Sequence, residues 1–153
     1  MPHLLIVAYG NPLRSDDGIG WRAAEALQQK FSPDEVEILT LHQLGPELAE
    51  SASRSKCVIF VDAAAGPGCP GALELKELFS ANPEAAEFPR SCHAVSPSNV
   101  LAIAAQLYNA RPKGFQATIV GEKFNHGESL SPSVEAALPR LLDQIEELSK
   151  EFV

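Results

Sequence analysis

Leu4-Leu5-Ile6-Val7-Ala8-Tyr9 is a six-residue apolar run closed by Gly10-Asn11-Pro12. Continuous hydrophobicity over that length, stopped by turn formers, is the pattern of a strand buried on both faces, which belongs to a sheet with helices on each side. The next segment agrees. From Gly18 to Lys30 the residues Ile19, Trp21, Ala23, Ala24, Ala26 and Leu27 make one broad helical face, with Arg22, Glu25, Gln28, Gln29 and Lys30 mostly opposite. Strand then helix is the start of a βα unit.

The alternation continues along the chain. Val36–Leu41 reads as a second strand, Gly45-Pro46-Glu47-Leu48-Ala49-Glu50 opens a short helix, and Cys57–Asp62 makes a third strand. After the loop Ala63–Gly71, the stretch Ala72–Leu78 alternates Leu73 and Leu75 with Glu74 and Lys76, as an edge strand does. Phe79–Ser91 has no clear period. Ser96-Pro97-Ser98-Asn99 starts a helix with the body Val100–Tyr108, Phe115–Val120 is the last strand, and a second Ser-Pro opens the helix Ser131–Phe152, with Pro139 expected to kink it. The expected fold is therefore α/β: a three-layer sandwich with a mainly parallel central sheet of about five strands, one antiparallel edge allowed, and helices on both faces.

Length and composition bound the function. A chain of 153 residues that is 45% hydrophobic and 21% charged makes one sizeable core, so residues 1–153 are read as a single domain without repeats or linkers. Twelve basic against 20 acidic residues leave a net charge of −8, which argues against a broad phosphate-binding surface and hence against nucleic acid. No apolar run approaches the roughly 20 residues of a membrane span, so no membrane insertion is expected. The N-terminus lacks a basic signal region, and the three cysteines, Cys57, Cys69 and Cys92, form no C-x-x-C pair. A cytoplasmic protein with reduced thiols is expected.

In open α/β sheets the chemistry gathers beyond the carboxyl ends of the strands. Asp16 and Asp17 follow the first strand, His42 the second, and Asp62 ends the third, while His93 precedes a later helix. The glycines Gly10, Gly18 and Gly20 lack G-x-G-x-x-G spacing, and two carboxylates at the helix mouth would repel a pyrophosphate. The same placement suits a cation, for which Asp17, Asp62 and His93 form a three-ligand set. Each residue also has an ordinary reading. Asp16 or Asp17 can cap the first helix, Asp62 can bond a turn, and His93 and His42 can be structural or surface histidines. His126 reads as a loop residue beside Gly127, and Cys69 and Cys92 as ordinary thiols.

A family resemblance weighs against those ordinary readings. Gly10-Asn11-Pro12-Leu13-Arg14-Ser15-Asp16-Asp17-Gly18-Ile19-Gly20 resembles the opening motif of the [NiFe]-hydrogenase maturation endopeptidases. Four further segments resemble the family in order: His42–Glu50, Val58–Ala63 with its terminal Asp62, His93–Leu101, and Gly121–Phe124 followed by Leu130–Pro139. Almost the whole chain is covered. The resemblance places the family's metal-contacting acid on Asp17, its second carboxylate on Asp62 and its histidine on His93, with Asp16 as a supporting residue; either the metal activates a water or the substrate carbonyl, or a carboxylate such as Asp16 or Asp17 acts as general base. One departure stands out. Many members carry the metal-contacting histidine in a His-Gln-Leu run, whereas here Ala94-Val95 follows His93 and His-Gln-Leu begins at His42, which makes His42 an alternative or additional contact.

What the resemblance implies is an aspartyl-type or metal-dependent endopeptidase that removes the C-terminal extension from the precursor of a [NiFe]-hydrogenase large subunit. The nickel is carried by that substrate and read as its loading signal, and no tightly bound organic cofactor is expected. Two other classes compete with this reading: a non-catalytic chaperone of the large subunit, and a small-molecule or nucleotide-binding α/β module. Cleavage of precursor separates the first from the enzyme, and the acidic helix mouth argues against the second.

Overall fold

The structure, a computed structural model, describes residues 3–79 and 95–153. The strands are β1 (Leu4–Tyr9), β2 (Val36–Leu41), β3 (Cys57–Ala64), β4 (Leu73–Leu78) and β5 (Lys113–Val120). The helices are α1 (Ile19–Gln28), α2 (Leu48–Ser53), α3 (Pro97–Tyr108) and α4 (Pro132–Ser149), with a 3-10 turn at Ser15–Gly18 ahead of α1. The strands make one five-stranded sheet in the order β2-β1-β3-β5-β4. All neighbours are parallel except β4, which runs antiparallel to β5 at the edge. The expected three-layer α/β sandwich is the observed one.

Both faces of the central strands are buried, which is why β1 reads as an unbroken apolar run. Leu4, Ile6 and Ala8 join Ile59, Val61, Ala117 and Ile119 under α1 and α4, where Val134, Ala137, Leu141 and Ile145 complete the layer. Leu5 and Val7 join Val58 and Phe60 on the other face, against Leu48, Ala49 and Ala52 of α2 and Val100, Leu101 and Ile103 of α3. Among the described residues no helix is long and apolar enough to cross a membrane.

Two boundaries differ from expectation in ways that matter for the site. The 3-10 turn takes the start of the first helical segment, so α1 begins at Ile19 and neither Asp16 nor Asp17 caps it; Gly18 stands at the cap without a side-chain bond. Strand β3 runs two residues beyond Asp62, because Ala63 and Ala64 stay in register with Ile119 and Val120 of β5. Asp62 therefore lies inside the last turn of pairing rather than at its end. The two Ser-Pro starts also diverge. Ser96 accepts the Asn99 N–H at 3.1 Å and caps α3, whereas Ser131 spends its hydroxyl elsewhere. Helix α4 continues through Pro139.

One glycine fixes how closely α1 approaches the sheet. A Cβ on Gly20 would lie 2.9 Å from the carbonyl oxygen of Val61 and 3.3 Å from the backbone nitrogen and oxygen of Tyr9. These atoms are backbone in the two central strands and have nowhere to go. Gly20→Ala is expected to cost about 1–3 kcal/mol, the range for overpacking a close contact, as read by urea unfolding. Stability equal to the parent would mean that α1 can slide away from β1 and β3.

Candidate active site

The 3-10 turn is held in place by its own backbone and by the loop after β5. Gly10, at φ +139°, lets the chain leave β1 and pass close to the backbone of Asp17; a Cβ there would collide with the Asp17 carbonyl. Ser15 donates its N–H to Gly127 O at 2.8 Å and its hydroxyl to Asn125 O at 2.9 Å, and Arg14 Nε donates to Phe124 O at 3.1 Å. The turn is thereby anchored to residues 124–127.

Two adjacent acids in that turn face opposite ways. Asp16 is fully buried. Its Oδ2 accepts from Glu122 N at 2.7 Å, Lys123 N at 2.9 Å and Ser131 Oγ at 2.7 Å, while Oδ1 accepts from Ser131 N at 2.8 Å. Burial alone would raise its carboxyl, but the donors from Lys123, Ser131 and Glu122 outweigh that and hold it below the ordinary carboxylate range. Asp16 thus ties the turn to the β5–α4 loop and has no face on the rim. Asp17 is partly exposed, and its Oδ2 accepts the Asn11 N–H at 2.7 Å, which orients the side chain back over the end of β1.

Asp17, in the turn after β1, lies close enough to Asp62 near the end of β3 for its charge to act on that carboxyl. Burial pushes the Asp62 carboxyl up to about 7, and the negative charge of Asp17 pushes in the same direction. The Ala63 N–H, donating to Asp62 Oδ1 at 2.7 Å, and the Tyr9 hydroxyl oppose the rise. A carboxyl that exchanges its proton near neutrality, beside a second carboxylate, can act as a general acid or base or as half of a cation clamp. Tyr9 itself is driven well above its ordinary value by burial and by Asp62, so its hydroxyl keeps its proton.

His42 takes a different side. Its ring meets Trp21 of α1 edge-on, with centroids 5.4 Å apart, and Trp21 Nε1 donates to Leu41 O at 3.0 Å. Tyr9 and Leu41 share the opposite sheet face, as does Asp62, so His42 is turned toward α1 and away from the Asp62 carboxyl. His126 is an exposed loop residue, as expected. His93 and Cys92 lie outside the described residues. Among the described residues no three His, Cys, Asp or Glu side chains gather into a group able to hold a metal ion. Burial pushes the Cys57 thiol up to about 12, so it stays protonated and inert at neutral pH.

Sequence reasoning missed Tyr9 and Gln116, whose side chains meet at 3.4 Å above β3. The available signal is small: a tyrosine closing an otherwise aliphatic strand. A cleft of about 410 Å³ on the α1 side, lined by Pro12, Leu13, Trp21, Thr40 and Leu130 among others, contains neither Asp17 nor Asp62.

Comparison with known proteins bears on what this pair does. A family model described as hydrogenase maturation protease matches residues 21–148. The hydrogenase 2 maturation protease of Escherichia coli is 31% identical over 153 residues, covering 93% of this chain and 87% of that protein. Among solved structures, a hydrogenase maturating endopeptidase from Escherichia coli superposes with a TM-score of 0.74 at 28% identity, over 99% of this chain and 93% of that one. A hydrogenase 2 maturation peptidase from a Thaumarchaeota archaeon shares the fold at 22% identity, with a TM-score of 0.69 over 95% of this chain and 97% of its own.

Proposed function

Because the chain belongs to the hydrogenase maturation protease family, we propose that this peptidase cuts the C-terminal extension from a nickel-loaded [NiFe]-hydrogenase large-subunit precursor in the cytoplasm. The nickel is part of the substrate. It docks against Asp17, Asp62 and His93, and the docking sets the scissile peptide beside the carboxylates, so that an unloaded precursor is bound poorly and left uncut.

The observation that supports this reading is the placement of Asp17 and Asp62 on one rim, near enough that burial first and the Asp17 charge second raise the Asp62 carboxyl to about 7. Carboxylates together with a neutral imidazole are good ligands for a divalent first-row cation, yet two acids and one histidine, without thiolates, make a modest resident site. That suits a cation which arrives with one client and leaves with it. The docked metal polarises the scissile carbonyl or the attacking water. A carboxyl of the pair takes the water's proton and returns it to the leaving amine. Asp16, with both oxygens engaged by protein donors, holds the turn that carries Asp17 and takes no part in the proton transfer.

The deciding experiment incubates the purified protein with precursor, with and without nickel, and follows the C-terminal extension by mass spectrometry. The extension is expected to be released only from the loaded precursor. Release without nickel overturns the recognition step, and a loaded precursor that is bound but stays intact makes the protein a chaperone.

A further inference from the structure

The register of the sheet stacks a polar layer above the α2–α3 core. In parallel neighbours, registered residues point to the same face, so Leu5 and Val7 on β1 line up with Val58 and Phe60 on β3, and Phe60 and Asp62 with Gln116 and Thr118 on β5; Tyr9 and Asp62, each one step past the last pair Ala8–Val61, fall on this same face. Below this layer the face is apolar. At its top, Gln116 Nε2 reaches over the middle strand and donates to the Tyr9 hydroxyl oxygen at 3.4 Å. The Tyr9 hydroxyl, on the same face, acts on the Asp62 carboxyl as a hydrogen-bond donor.

The direction of these bonds follows from the donor inventory. A phenol has one proton and a side-chain amide nitrogen is only a donor. Gln116 occupies an acceptor site on the Tyr9 oxygen, so the single Tyr9 proton is free to point at Asp62. On its other side the Asp62 carboxyl is tied by the Ala63 N–H at 2.7 Å. A carboxyl held by the Ala63 N–H on one side and by the Tyr9 hydroxyl on the other is restrained about its terminal torsion, which is otherwise broad.

We propose that Tyr9, braced by Gln116, is a positioning residue that holds the Asp62 carboxyl in one orientation at the rim, so that the precursor meets it already aligned. The catalytic part of this rests on the proposed function; the orientation itself does not. Without the brace, Asp62 would have to be ordered when substrate binds, and the cost would fall on turnover.

Tyr9→Phe removes only the hydroxyl and keeps the ring that packs on the α2–α3 core, so the fold survives. Crystal structures of the parent and of Tyr9→Phe are expected to show the Asp62 carboxyl in one orientation in the first and turned or split between rotamers in the second. With loaded precursor, kcat is expected to fall by about 10–100-fold, the scale of a small misplacement of a reacting group, with KM within about two-fold. Gln116→Leu should give a smaller loss in kcat, and Tyr9→Phe with Gln116→Leu no more than Tyr9→Phe alone, because both act through one hydroxyl. An Asp62 carboxyl that keeps its single orientation in Tyr9→Phe, an unchanged kcat, or losses that add in the double variant would each overturn the proposal. If the parent protein leaves loaded precursor intact, the endopeptidase reading falls and the crystal structures alone decide on the brace.

Discussion

Asp16→Asn is expected to unfold the protein roughly 10–15 °C below the parent, a loss of about 3–5 kcal/mol, while Asp17→Asn one residue away leaves the melting temperature nearly unchanged. The asymmetry comes from what each carboxylate touches. Asp16 accepts four hydrogen bonds from donors in the β5–α4 loop, three of them on Oδ2. An asparagine offers one oxygen. If that oxygen takes the Oδ2 position, the amide nitrogen faces the Ser131 N–H, donor against donor; if it is flipped, the Glu122 and Lys123 N–H groups face the amide nitrogen and are stranded, although the Ser131 hydroxyl can turn to accept. A buried donor without a partner costs about 1–3 kcal/mol, and the charge assistance of the carboxylate is lost as well.

The pH dependence of that loss has a definite sign. The folded-state carboxyl of Asp16 is held below its ordinary value of 3.8, so its contribution is fully present above that value and disappears as the pH falls through the lower folded one. The gap between parent and Asp16→Asn is therefore expected to be wide at pH 7 and to narrow in strong acid. Differential scanning calorimetry across that range checks it. A variant that melts with the parent at pH 7 would show that the Asp16 cluster does not hold the turn.

This pair of neighbours also marks where sequence reading stops. The residues Asp16-Asp17 can be placed after β1 from Gly10-Asn11-Pro12 and the helical period that follows, because turn formers and apolar periodicity are local signals. Which of the two points inward cannot be read locally. It depends on donors from residues 122, 123 and 131, more than 100 positions later in the chain. For the same reason the Ser131-Pro132 start could be recognised as a helix opening, but not the fact that the Ser131 hydroxyl is committed to Asp16.

The sheet itself was more legible than its site. Five strands with apolar runs on β1 and β3, and charged alternation on β4, were enough for a mainly parallel sheet with an antiparallel edge. The Tyr9–Asp62–Gln116 layer required the register, and register across β1, β3 and β5 is set by helices α1 to α4 packing on both faces, which no single segment encodes. His42 and Asp62 both follow apolar strands at the same rim, yet one odd or even step along a strand sends a side chain to opposite faces. That is how two rim residues that look equivalent in sequence come to lie on different sides of the sheet.

Asp62→Asn is expected to abolish cleavage by roughly two to four orders of magnitude, the contribution of a positioned proton-transfer group, and at the same time to make the protein more stable above pH 7. The second effect follows from burial. Held in a largely buried position within reach of the Asp17 charge, the carboxyl is pushed up to about 7 in the folded chain from its ordinary 3.8. Between those values the folded chain keeps a proton that the unfolded chain has released, so stability falls as the pH rises through this window. Above about 7 the folded chain carries the charge at its full cost. Asparagine carries no charge at any pH and avoids that cost. Partial exposure screens it, and a gain of about 1–2 kcal/mol at pH 8, vanishing near pH 4, is the expected size. Urea unfolding at the two pH values measures it. Parent activity should show an inflection near the same value, and Asp17→Asn, which removes one of the two influences raising the Asp62 carboxyl, should move the unfolding dependence on pH downward. An Asp62→Asn variant that is inactive but no more stable at pH 8 would mean that the charge at Asp62 is already compensated in the folded chain. An active one would remove Asp62 from the chemistry, because a residue that sacrifices stability at working pH without serving cleavage has no reason to be ionised there.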